Sequence, residues 1–204
     1  TLVMDVGSAK GDVIAAARLG LQGKLGCFVP AHPIAGKEVA GVEHAEASLF
    51  DGRQVVLTPI KPTLRSNVQR ANQVWTGVGA RVTTMTHEAH DGAFAAVSHL
   101  PHLLAFAFMN GLAEQPEGAA FLDLAGPGFR DFTRIAAADP TMWRDVFMAN
   151  SEQVLRQSHA FRQALQQFES LMIKGDAQAL EQAIASASRA RAGWQLGSST
   201  ESDA

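Results

Sequence analysis

The sequence is sparing with several features that would narrow its role at once. It has one cysteine, Cys27, in 204 residues. That excludes an intramolecular disulfide and any multi-cysteine metal site. Positive charge is not in surplus. The 17 Lys and Arg face 20 Asp and Glu, for a net charge of −3. A primary role in nucleic-acid binding is therefore not expected. Long apolar runs are also scarce. The longest, Leu100 to Met109, holds Pro101 and His102 and falls short of the ~20 residues that cross a bilayer. No signal peptide leads the chain, and there is no P-loop. The G-x-G at Gly77-Val78-Gly79 has Val82 where a dinucleotide fingerprint needs its third glycine. It also precedes a strand instead of following one, and reads as a turn. The initiator methionine is missing and the chain starts inside a strand-like run, so an N-terminal truncation is expected. Any phosphate cradle for a dinucleotide would then lie upstream of Thr1. What is present is an ordinary globular mix, 47% hydrophobic and 18% charged, which fits a cytoplasmic enzyme or binding protein.

Residues 1–84 alternate between strand and helix patterns. Strands are expected at Thr1–Val6, Gly26–Val29, Gln54–Thr58 and Ala80–Thr84. Helices are expected at Ala9–Leu19, with Ser8 as N-cap, and at Thr63–Trp75. Ala31–Gly36 reads as a loop. This is an α/β order. After Thr86 helical periodicity takes over, with segments at His87–Val97, His99–Leu112, Ala119–Leu124, Gly128–Ala138, Thr141–Phe147, Asn150–Ile173 and Asp176–Ala192. The stretch from Gln153 to Gln167, with Leu155, Phe161, Leu165 and Phe168, suits a long amphipathic helix of the kind that packs on another subunit. The polar end, 195–204, reads as a frayed tail.

Histidines and arginines are the candidates for chemistry. His87 and His90 are three apart, as are His99 and His102, so each pair would share a helical face. With Asp91 beside His90, a metal-dependent hydrolase is conceivable. The competing reading is that these residues cap helices or fill polar pockets. His32 follows a buried strand, where open α/β sheets place their chemistry. Its neutral ring could accept a proton near physiological pH, or it could simply bond backbone in a turn. Arg130 and Arg134 are four apart, and paired guanidiniums suit a carboxylate-bearing ligand. Pairing with Asp131, Asp139 or Asp145 would account for them equally.

Five ordered motifs resolve these choices. They are Asp5-Val-Gly-Ser-Ala-Lys10, His32-Pro-Ile-Ala-Gly36, Ser98-His-Leu-Pro-His102, Asp131-Phe-Thr-Arg-Ile-Ala136 and Asp139-Pro-Thr-Met-Trp-Arg-Asp145. Across about residues 1–175 the chain resembles the prephenate/arogenate dehydrogenase family of tyrosine biosynthesis. The resemblance implies an α/β remnant of a Rossmann-type nucleotide-binding domain over 1–84. An all-α dimerisation and substrate domain would follow over 85–194, with a flexible tail over 195–204. It also implies NAD or NADP as cofactor, a homodimer, and oxidative decarboxylation of prephenate or arogenate.

Residue roles follow by resemblance as well. His32 matches the catalytic histidine and Ser8 the serine lying between that histidine, the substrate hydroxyl and the nicotinamide. Val6 and Gly7 would adjoin the cofactor with Ser8. Arg134 matches the arginine that grips the substrate carboxylate. His102 matches a pocket histidine near the substrate side chain. Arg130, Trp143 and His99 sit in matched motifs, Asp91 is a candidate to orient a helix or a histidine, and Lys37 would approach the side-chain end and favour prephenate. No metal is implied. Tyrosine inhibition would act at the active site. The rival functions are a catalytically silent helical dimerisation module and the histidine–metal hydrolase.

Overall fold

The computed structural model describes residues 1–36 and 41–195. The chain forms two compact units, Thr1–Gln157 and Ser158–Ala204. The first opens with β1 (Val3–Met4), α1 (Gly11–Leu21) and β2 (Phe28–Val29). A helix between the two strands lets them run parallel, with Val3 opposite Phe28 and Met4 opposite Val29. β1 is shorter than the Thr1–Val6 run because its only partner, β2, is two residues long. Gln22–Cys27 forms a 3-10 turn where a strand start was expected. α1 begins two residues later than expected, and Lys10, not Ser8, holds the N-cap position. The N–H groups of Lys10 and Gly11, left without a helical partner, are instead met by the Asp91 carboxylate from a helix 80 residues on. Local sequence carries no trace of such a cap.

A second sheet holds β3 (Ala31–Pro33), β4 (Gln54–Leu57) and β5 (Arg81–Thr84), in the order β3-β4-β5. β3 was expected as loop. Its residues pair antiparallel to β4, with His32 opposite Val56. β4 and β5 flank α2 (Arg65–Gly77) and lie parallel. Gly79 turns the chain into β5 at φ +85, and a side chain there would strike Asp51. That is the turn expected of Gly77-Val78-Gly79.

Successive strand residues point to opposite faces, which separates the core in two. Phe28 packs with Ile14 of α1 and Ile60, joined by Ala17 and Leu21 at helical spacing. Val29, Ala31, Val55 and Leu57 pack with Ala71 and Trp75 of α2. Burying each such large side chain stabilises the fold by about 1.5–3 kcal/mol.

Helices make up the rest. Thr86 caps α3 (His87–Phe94) by accepting the Ala89 N–H at 3.2 Å. The break expected near Ser98 does not occur. A π-helical turn, Ala95–His99, joins α3 directly to α4 (Leu100–Ala113). Pro101 lacks an N–H and crowds the preceding turn, and the wider turn accommodates it. The continuous rod His87–Ala113 is, by length and composition, apolar enough to cross a membrane. This revises the sequence count, which stopped at Leu100–Met109. The buried polar residues His90, Asp91 and His99 on this rod are bonded to other elements of the fold. α5 (Gly118–Asp123) and α6 (Pro127–Thr133) follow, with a 3-10 turn at Arg134–Ala137 against α4. Asp139 caps α7 (Pro140–Ala149), accepting the Met142 N–H at 2.7 Å, and Pro140 stands at its start.

α8 (Ser151–Lys174) continues into the second unit, which α9 (Ala177–Ala192) completes. Gly175, at φ +68, turns the chain between them, and Asp176 caps α9 by accepting the Ala179 N–H. Leu165 and Met172 stand exposed on α8. Of the expected tail, 195–204, all but Gln195 lies outside the described residues.

Candidate active site

The first motif works as a knot. Lys10 is fully buried, and its Nζ donates to Asp5 Oδ2 at 2.6 Å and to the Ala31 carbonyl at 2.7 Å. Asp5 in turn accepts the N–H of Ala31 at 3.1 Å and of Gly7 at 2.9 Å. Burial pushes the Lys10 pKa down, against the pull of Asp5. The knot fastens the segment after β1, which carries Val6, Gly7 and Ser8, to the first residue of β3. His32 is the next residue.

His32 is buried, 8% exposed, and packs edge-on to the His90 ring and tilted against that of Phe94. Its Nδ1 lies 2.8 Å from His90 Nε2. His90 Nδ1 lies 2.7 Å from Asp91 Oδ1. Asp91 Oδ1 also accepts the Lys10 N–H at 2.9 Å, and Oδ2 the Gly11 N–H at 2.8 Å. Burial lowers the His32 pKa to about 3, helped by the charges of His90 and Lys10, so its ring is neutral at physiological pH. Burial alone would raise the Asp91 pKa. Hydrogen bonds from His90 and from the Lys10 and Gly11 amides outweigh it and hold the carboxylate ionised.

A second group continues the wall. Asn150, which follows α7, donates through Nδ2 to the Asp91 carbonyl at 2.8 Å and meets His99 Nδ1 at 3.2 Å. Burial lowers the His99 pKa to about 4. His99 packs edge-on to Trp143, and His102 stacks on the same indole at 3.6 Å between centroids. His102 Nδ1 donates to the Ser98 carbonyl at 2.9 Å, leaving Nε2 as an acceptor. Its pKa is lowered, by burial first and also by the charge of nearby Arg134. Trp143 Nε1 is buried with no hydrogen-bond partner among the described residues. The structure thus brings His102, Trp143 and Arg134 together, and His32 with His90 and Asp91, linked through Asn150 and His99.

Other candidates fall elsewhere. Arg130 pairs with its neighbour Asp131 at 3.2 Å on an exposed face, the pairing that sequence alone had left open. Lys37 lies outside the described residues. His87 is bonded to Glu88 at 3.0 Å while His90 turns inward, so the pair of histidines that suggested a metal is divided. Among the described residues no group of three or more His, Cys, Asp and Glu side chains is placed to hold a metal ion. Lys10, Asn150 and the His32–His90 contact were not foreseen. The spacing of Asp5 and Lys10 was a usable signal, because a buried lysine needs a carboxylate.

Ser8, Gly7, Asp12 and Val13 line a shallow cleft of about 290 Å³ with Met142, Asp145, Val146 and Ala149 of α7. Val6, in the segment after β1, is 63% exposed. A side chain at Gly7 would crowd Asp5 Oδ2 at 3.2 Å. This lining offers no cation for the phosphates of a dinucleotide.

Fold and site together define a class, an α/β unit followed by a helical region, with a buried histidine cluster between their elements. Comparison with known proteins makes it particular. Residues 1–84 match the description "Prephenate dehydrogenase, nucleotide-binding domain" and residues 86–186 match "Prephenate dehydrogenase, dimerization domain". Prephenate dehydrogenase of Bacillus subtilis is 34% identical over 155 residues, 76% of this chain and 42% of the relative. A crystal structure of prephenate dehydrogenase from A. aeolicus, in complex with hydroxyphenyl propionate and NAD+, superposes with a TM-score of 0.86 at 38% identity. It covers 94% of this chain and 66% of that one. A second structure of prephenate dehydrogenase from Aquifex aeolicus gives 0.86 at 35% identity, with 95% and 68% covered. The chain belongs to the prephenate dehydrogenase family. It spans about half the length of the curated relatives it matches.

Proposed function

We propose that the protein is an NAD(P)-dependent dehydrogenase that oxidatively decarboxylates prephenate, or arogenate, in the cytoplasm. Residues 1–84 serve as part of its nucleotide domain and 85–194 as its substrate and dimerisation domain. The observation that carries this reading is a buried, neutral histidine at the head of the His32–His90–Asp91 chain, in the same unit as Arg134, His102 and Trp143.

The substrate sets the tasks. It has a ring 4-hydroxyl, a ring carboxylate and a charged side chain. A nicotinamide, when bound, supplies the hydride acceptor for C4. His32 takes the hydroxyl proton as the C4–O bond becomes a carbonyl. The C1–carboxylate bond then breaks, CO2 leaves, and its electron pair makes the ring aromatic as a phenolate. His32 returns the proton to that oxygen, so the chain's residues neither gain nor lose a proton over the cycle. Ser8 lies between His32, the hydroxyl and the nicotinamide. Arg134 holds a substrate carboxylate without offering it a proton, since a guanidinium stays charged. His102 and Trp143 pack beside the substrate side chain, and Val6 and Gly7 adjoin the nicotinamide. Tyrosine, a product or product analogue, would compete for this same pocket. The exposed apolar residues of α8 support assembly as a dimer.

The experiment follows NADH absorbance with the full-length protein, prephenate and NAD, then arogenate and NADP. Turnover with either substrate supports the reading. Silence with both, and no binding of 4-hydroxyphenylpyruvate, would leave a dimerisation module in its place. A change in the prephenate-to-arogenate ratio in Lys37→Glu would assign substrate preference to Lys37, whose positive charge repels an ammonium.

A further inference from the structure

We propose that Asp91 and His90 are positioning residues that fix the tautomer of His32, keeping its proton on Nδ1 and its Nε2 lone pair free for the substrate hydroxyl. The inference rests on the function proposed above for the importance of that lone pair, but the tautomer itself follows from the contacts.

Asp91 is the starting point. Its carboxylate receives three donors, from His90 Nδ1 and from the amides of Lys10 and Gly11 at 2.7–2.9 Å. It also sits at the N-terminus of α1, whose dipole favours an anion. An ionised carboxylate only accepts, so His90 Nδ1 carries a hydrogen. His90 is fully buried. One proton, on Nδ1, meets the Asp91 carboxylate and leaves the Nε2 of His90 free to accept. The 2.8 Å contact then requires His32 to donate from Nδ1. The proton of His32 is thereby placed away from the substrate, and Nε2 is left as the base.

The same chain acts when the proton arrives. A cationic His32 donates its Nδ1–H to His90, which is polarised by Asp91. The Asp91 charge so acts across an interposed imidazole, in the manner of the aspartate in a serine-hydrolase triad. Asp91 also bonds the first residues of α1. One carboxylate thus ties the start of α1 to the rod His87–Ala113 and aligns the base between them.

The test has two readouts. In the chain labelled with 15N-histidine, long-range 15N–1H correlation at pH 7 is expected to show His32 and His90 protonated at Nδ1 and bare at Nε2. His32 bare at Nδ1 overturns the proposal, whatever the enzyme's substrate. Asp91→Asn supplies the second readout. Its amide oxygen can accept the Gly11 N–H while Nδ2, in the place of Oδ1, donates to His90 Nδ1 at the loss of the Lys10 N–H bond. The direction of every bond then reverses and the proton moves to His32 Nε2. In the full-length enzyme kcat is expected to fall by about 10⁴-fold, as for the corresponding exchange in a hydrolase triad, with KM nearly unchanged. A reversed tautomer with native kcat overturns the proposal. If Asp91→Asn does not fold, the spectrum of the native chain decides alone. Absence of turnover in the native enzyme, with the expected tautomers, would count against the proposed reaction and not against the tautomer.

Discussion

Lys10 and Asp91 stand 81 residues apart, and the N–H of the first donates to the carboxylate of the second at 2.9 Å. The side chain of Lys10 points the other way, to Asp5 and Ala31. One residue thus holds the segment after β1 against both β3 and α3. These are the three places from which Ser8, His32 and Asp91 enter the site.

Replacing Lys10 with methionine should therefore destabilise the fold. The aliphatic stem fits, but Asp5 loses its cation. Breaking a buried pair costs about 3–5 kcal/mol, and the low end applies because Asp5 keeps two N–H donors. Urea unfolding at pH 7 measures it. A loss below about 1 kcal/mol, the range of exposed ion pairs, would show that the knot is not structural.

Stability should fall as the solution becomes mildly acidic. The pKa values of His32, His99 and His102 are all lowered in the folded state, the first two to about 3 and about 4. Between pH 6.5 and about 4 the unfolded chain binds protons at His32 and His99 and the folded chain does not, and His102 adds in the same direction. Stability is full above the unfolded value and is lost as pH falls through this window, at up to roughly 1.4 kcal/mol per pH unit for each ring. Denaturant midpoints at pH 7, 6, 5 and 4.5 should decline steadily. Midpoints that stay level down to pH 4.5 would mean that the rings are protonated within the fold.

Arg134 and Arg130 should separate under mutation. The charge of Arg134 is felt by His102, whereas Arg130 is paired with Asp131 in solvent. Arg134→Gln is expected to raise KM by roughly 10–150-fold, the equivalent of one charged hydrogen bond of 1.5–3 kcal/mol. Arg130→Gln should change it little. Equal effects would remove the distinction that the structure draws between them.

Much of this was legible in the sequence. The strand–helix alternation gave way to helices where it was expected to, because period-2 and period-3.6 burial patterns are local. The motif order pointed to the family, and the roles proposed for His32, Ser8 and Arg134 rest on that resemblance. What escaped was non-local. Asp91 replaces a missing cap at α1, and no residue near α1 announces this. The helices expected on either side of Ser98 run together through a π turn. His87 and His90 share helical spacing, yet one faces solvent and the other His32. Ala31–Pro33 became a strand only because Gln54–Leu57 lies beside it.

The central claim is that His32 accepts the proton of the substrate hydroxyl. His32→Asn tests it most directly. Asparagine can keep a hydrogen bond toward His90 but offers no comparable base. The account predicts that the full-length enzyme carrying this change folds, binds prephenate, and loses kcat by about 10²–10⁴-fold, the usual contribution of a positioned general base. Native kcat in His32→Asn would contradict it and place the proton acceptor on another residue.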